Sequence, residues 1–267
     1  SGPKQLTLLA INSGPISMVK ALVYPQGAAD GVFAARMARN GFTGAAGVPE
    51  WFVQRTRGKS SDFNLDLRPD RFRGLFHVDP NQGMEAVRAL EAEVTERGAV
   101  AAHTWGTGTN PQVPINDKKM YPLYAKCVEL DVPVQLQVGQ SLVYADERRL
   151  RSVGRPITLD AVACDFPELK LIGIHVGIPW TDEMIAMAWK HPNVYIGTDA
   201  HSPKYWPPAF LQFINTYGQD KVLFGTDFPV LDFERTRAEI EALGLRPGPL
   251  RKLLRDNAAR VYGLDRA

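Results

Sequence analysis

The chain has little cysteine, no excess charge of one sign, no long apolar run and few histidines, and these shortages exclude several kinds of protein. Two cysteines, Cys127 and Cys164, stand in 267 residues. That is too few for the disulfide framework of a small secreted fold, and each lies in an apolar stretch, where a thiol serves as a small buried hydrophobe. A reducing, cytoplasmic setting is expected. Thirty-one Lys and Arg against 29 Asp and Glu leave a formal charge of +2. Without single-sign blocks, neither nucleic acid nor an anionic membrane surface is an expected partner. No apolar run approaches the roughly 18 residues that span a bilayer, and no basic segment leads into an apolar core at the start. The opening Ser1-Gly2-Pro3 carries no initiator Met, which leaves room for sequence ahead of it. The five histidines begin only at His77.

What is present is an alternation. Short apolar runs at residues 5–11, 19–25, 72–80, 99–106, 133–139, 169–177, 194–200 and 222–229 give eight candidate strands. Helical periodicity fills most of the gaps, at 84–97, 117–130, 181–190 and 208–217, and two further helices at 233–243 and 248–262 close the pattern. Repeated strand–helix units favour a parallel sheet, and eight of them favour a closed (β/α)₈ TIM barrel, filling residues 1–267 as one domain. A doubly wound open sheet is the competing architecture. Its usual nucleotide signatures, GxGxxG after a first strand or GxxxxGK[ST], do not occur. The link at residues 12–18 is too short for a crossover helix, and residues 41–70 form the least regular stretch, expected as a long loop.

Alternation within the strands points to a site. Side chains along a strand point to opposite faces in turn, and barrel active sites gather at the C-terminal strand ends. In 133–139, Val134, Leu136 and Val138 form an outward face, which turns Gln135 and Gln137 inward. In 169–177, Ile172, Ile174 and Val176 are expected outward, with Leu171, Gly173 and His175 inward. In 222–229, Leu223, Gly225 and Asp227 are expected inward. His175 and Asp227 thus arrive together at strand ends as a candidate acid–base pair. The plainer alternatives are a core imidazole and a turn carboxylate ahead of Phe228-Pro229. His103, sharing its parity with small Ala99 and Ala101, is a candidate pocket residue, and His201, just beyond Asp199, a candidate rim residue. Trp180 would wall or cover the pocket. Arg155 would pair with a substrate carboxylate, or else be an ordinary surface arginine. His77 and His191 are expected to be structural.

From residue 99 to 264 the chain resembles the amidohydrolase-related proteins that include aminocarboxymuconate-semialdehyde decarboxylase and aromatic acid decarboxylases. The segments that carry this are ITLDAVACDFPELKLIGIHVGIPW (157–180), HPNVYIGTDAH (191–201), KVLFGTDFP (221–229) and LLRDNAARVYGL (253–264). The resemblance implies one divalent metal held by a His-x-His pair on the first strand, a histidine on the fifth and an aspartate on the eighth. It also implies a proton-transferring histidine on the sixth. Asp227 matches the aspartate and His175 the sixth-strand histidine. The first strand has no histidine, and Gln137 or Gln140 stands near the fifth-strand position. No cofactor is therefore assigned from the sequence, and a divalent metal such as zinc, bound through Asp227, stays open. The expected activity is hydrolysis or decarboxylation of a small cyclic or aromatic carboxylate. The alternatives are a metal-independent cyclase or acyl-transfer enzyme, or a silent relative kept for binding. A homo-oligomer stays open.

Overall fold

Aliphatic and β-branched runs become strands in the computed structural model, which describes residues 73–141, 149–228 and 230–264. The strands are β1 (Leu75–His77), β2 (Ala101–Thr104), β3 (Val134–Gln137), β4 (Leu171–Ile174), β5 (Val194–Gly197) and β6 (Val222–Leu223). They form one six-stranded sheet in chain order, and every adjacent pair is parallel. Each falls inside an expected run. The candidate strands at 5–11 and 19–25, the link between them and the loop at 41–70 lie outside the described residues.

Helices cross between the strands: α1 (Met84–Thr95), α2 (Tyr121–Glu129), α3 (Leu159–Asp165), α4 (Thr181–Lys190) and α5 (Pro208–Asn215). After β6 come α6 (Phe233–Glu241), α7 (Pro247–Arg251), a π-helical turn (Lys252–Asp256) and α8 (Asn257–Val261). The π turn has a use, because Leu253 O accepts from Phe224 N at 3.0 Å just past β6. No helix among the described residues is long and apolar enough to cross a membrane.

The outward face of the sheet and the helices share the larger core. Val134, Leu136, Leu171, Ile196 and Val222 meet Leu90, Tyr124, Met184 and Phe210 there. Each such side chain contributes about 1.5–3 kcal/mol by leaving water. Cys127 lies in this core as expected, and burial pushes its thiol up to about 12. Cys164 departs from expectation: it is exposed, because α3 turns it to the solvent side together with Asp160, one helical turn earlier.

The inward face holds a second apolar cluster of Ile172, Ile174, Tyr195, Leu223 and Val261, with Tyr262 packed on it. This corrects the expected parity of β4. Gln135 pairs with Ile172 and Gln137 with Ile174, so the two isoleucines face inward and Leu171 faces the helices. A strand apolar on both faces gives alternation nothing to report. Gly173 confirms the orientation, since a Cβ there would stand 2.7 Å from Met184 Sδ on α4.

Candidate active site

His175 reaches the inner side by a different route from the one parity suggested. β4 stops at Ile174, and His175 and Val176 then take left-handed backbone conformations, with φ of 71° and 58°. Val176 swings into the outer core while His175 turns inward. For a β-branched residue this conformation is an outlier that costs on the order of 1–3 kcal/mol, and such strain persists where the surroundings impose it. Two more non-glycine residues share it at the neighbouring strand ends, Ala200 (φ 67°) and Asp227 (φ 53°).

The result is a buried cluster. His175 Nε2 stands 3.3 Å from Asp199 Oδ2 and 4.0 Å from Asp227 Oδ2, and the three residues are only 7%, 5% and 4% exposed. Gln137 Nε2 lies 3.2 Å from His175 Nδ1. With the amide donating, Nδ1 is the acceptor and the ring proton sits on Nε2, facing the carboxylates. A positive charge on this imidazole is attracted by both aspartates.

Asp199 was absent from the sequence-based candidates, yet the signal was there: Gly-Thr-Asp occurs twice, at 197–199 and 225–227. The two tripeptides are stitched together after β5 and β6. Thr198 N donates to Leu223 O at 3.1 Å, and Gly225 N donates to Thr198 Oγ1 at 3.1 Å. Both glycines make room for Asp199. A Cβ on Gly197 would come 2.7 Å from its Oδ1, and one on Gly225 would come 3.1 Å from its Cβ.

The other candidates divide. His103 is buried, with Nδ1 2.9 Å from His77 Nδ1. The register pairs His77 with His103 across β1 and β2, so His77, expected as a structural residue, shares the inner face with His103. His201 stacks edge-on to His175 at 6.3 Å between ring centroids, and burial lowers its pKa. Gln140 is exposed, and its backbone N–H donates to Ile178 O. Trp180 is half-buried under Arg155, whose guanidinium carbon sits 5.6 Å from the ring centre. Arg155 is exposed and forked onto Glu183, at 2.6 Å through Nη2 and 2.9 Å through Nε, which is the surface-arginine alternative. His191 bonds Asp160 Oδ1 at 2.7 Å, well away from the cluster, as a structural residue would.

Two buried carboxylates beside imidazoles are also a metal-donor set. Two aspartates against one imidazolium sum to a net negative charge, costly to bury without a further cation. Mixed oxygen and imidazole donors suit manganese or zinc. The donor types present are ones such an ion accepts.

The model of the amidohydrolase family matches residues 17–264. A gamma-resorcylate decarboxylase of Rhodococcus jostii (strain RHA1) is 23% identical over 74% of this chain and 73% of its own. Among solved structures, a TIM-barrel protein from Bordetella bronchiseptica superposes with a TM-score of 0.65 at 24% identity, covering 76% of this chain and 70% of that one. A dihydroxybenzoic acid decarboxylase from Polaromonas sp. JS666, solved with bound manganese and the inhibitor 2-nitroresorcinol, gives 0.59 at 19% identity, covering 93% and 80%. These likenesses establish the fold as the expected TIM barrel, of which the six parallel strands are the described part.

Proposed function

The chain is an enzyme of the amidohydrolase family, matched over residues 17–264, and from that premise we propose that it is a decarboxylase of a small hydroxylated aromatic acid, with residues 1–267 folding as one barrel domain. The observation that carries this reading is His175 Nε2 held between Asp199 and Asp227 at the strand ends. The similarity to a gamma-resorcylate decarboxylase supports the substrate class.

Decarboxylation of an aryl acid needs a proton at the carbon that bears the carboxylate. As that proton arrives, the C–C bond breaks, its electron pair stays with the ring and CO₂ leaves. A ring hydroxyl enriches that carbon in electrons and makes it basic enough to accept the proton. His175 is the donor: as an imidazolium it carries protons on both ring nitrogens, so the Gln137 amide beside Nδ1 turns its oxygen to accept from Nδ1–H while Nε2–H faces the site. Asp227 and Asp199 favour the imidazolium that precedes transfer, and water restores the proton afterwards. The same aspartates would repel an anionic substrate, so the site calls for further positive charge. A divalent ion held by Asp227 and Asp199, with an imidazole of the His77–His103 pair available on the same face, would supply Lewis acidity toward substrate oxygens. The weight given to a metal is thus greater than the sequence alone suggested. We place the enzyme in the cytoplasm on its cysteine-poor composition, with a diffusible carboxylate as its partner.

The test is CO₂ release from a panel of hydroxybenzoates by manganese-loaded protein, with deuterium from D₂O expected at the vacated ring carbon. Chelation should lower turnover at least tenfold, and manganese should restore it. Silence on every aromatic acid, with hydrolysis of lactones or amides instead, would overturn the decarboxylase reading in favour of a hydrolase.

A further inference from the structure

We propose that Asp160, Cys164 and His191 form a second metal site, on the outer wall of the barrel, that takes zinc or another thiol-seeking divalent ion. One ligand atom from each of the three residues lies within 4.8 Å of the other two. Ligands of a tetrahedral zinc, at about 2.0–2.3 Å from the ion, stand roughly 3.3–3.8 Å apart, so a shift of about an ångström closes the site. Asp160 and Cys164 are four residues apart on α3, which sets both side chains on one face. His191 comes from the segment between α4 and β5.

The scaffold beneath is fixed. Asn193 Nδ2 donates to Phe166 O and Leu169 O, each at 3.0 Å, tying the segment after α4 to the segment after α3. Lys221 Nζ donates to His191 O at 2.9 Å. The site is also separate from the buried cluster, since His191 precedes β5 while Asp199 follows it, so the two flank opposite ends of one strand.

The plainer reading is an ordinary polar contact, because Asp160 Oδ1 accepts from Lys190 Nζ at 2.6 Å and from His191 Nε2 at 2.7 Å. Two features take the cluster beyond that. Lys190 is 55% exposed, so its flexible side chain can swing into water when an ion replaces it as the counter-charge of Asp160. A thiol in the group adds nothing to an ion pair but a great deal to a zinc site. Binding converts the Cys164 S–H to a metal thiolate and releases one proton to solvent. The product is a clip between α3 and the end of α4, with water as the fourth ligand.

Cobalt(II) gives a readout that the barrel cluster cannot imitate. A thiolate-to-cobalt charge-transfer band requires sulfur, and Cys127, the chain's other cysteine, is buried in the core. Titration of the full-length protein should produce this band, saturating within two equivalents because the barrel cluster also takes an ion, and zinc should erase it. Cys164→Ser should abolish the band, and Asp160→Asn and His191→Gln should each weaken cobalt binding at least about tenfold. Zinc should raise the Tm of the wild type by more than that of Cys164→Ser, the difference being the share of this site, since the barrel cluster takes an ion in both. Cys164 is exposed, so Cys164→Ser should fold and keep its turnover of aromatic acids, which separates this site from the catalytic proposal. Absence of the band in folded wild-type protein, or its persistence in Cys164→Ser, would overturn the site.

Discussion

The inner face of the sheet has two halves that obey different rules, and β3 carries one residue of each. Near the N-terminal strand ends Gln135 donates to the Tyr262 hydroxyl, over a floor of Ile172, Tyr195, Leu223 and Val261. Two residues further along, Gln137 faces His175, and beyond it stand Asp199 and Asp227. Backbone conformation divides the halves as sharply as polarity does. His175, Val176, Ala200 and Asp227 all take positive φ at the C-terminal end, whereas the floor residues lie in ordinary strand or helix. The floor is built for burial. The opposite end accepts strain to converge charge, which is where activity belongs.

The largest expected effect that would break this contrast is catalytic. His175→Gln should cost about 10²- to 10⁴-fold in turnover, and adding Asp227→Asn should cost little more, since members of one unit are not additive. Additive losses would dissolve the unit. At the floor, Leu223→Ala should cost about 2–5 kcal/mol in urea unfolding while the folded fraction turns over substrate within a few-fold of normal. Asp199→Asn, which removes one of the two charges facing the imidazole, should lower kcat about tenfold without changing the unfolding midpoint much. The smallest effects are conformational and ionic. Ala200→Gly should gain up to about 1 kcal/mol by relieving its left-handed backbone. Burial lowers the His201 pKa, so as pH falls through the ordinary histidine range the unfolded chain takes up the proton first and stability drops. His201→Gln should flatten that drop in unfolding curves taken between pH 7 and pH 5.

The six described strands were readable because compact apolar runs with turns at both ends leave few alternatives. α4 occupies the expected Thr181–Lys190 span. α2 begins at Tyr121, later than periodicity indicated, because Asp117 closes a turn by accepting from Lys119 N and Met120 N. α3 was not marked at all, since seven residues are too short for a helical period to stand out. β4 misled because its two faces are equally apolar, and His175 was placed correctly only because a left-handed turn reversed the parity error. Asp199 carries the same signal as Asp227, because the repeated Gly-Thr-Asp marks both. Arg155 could not be judged from sequence, because Glu183 lies 28 residues away and only folding brings the pair together.

The most direct test of the contrast is the Asp227→Asn variant, measured for CO₂ release from its best aromatic acid and for thermal unfolding on the same sample. Asparagine keeps the shape of the side chain and removes its charge and basicity. The account predicts that turnover falls about 10²-fold or more while Tm stays within a few degrees of the wild type. Near-native turnover in the folded variant would contradict it, and would move the chemistry away from the His175–Asp199–Asp227 cluster.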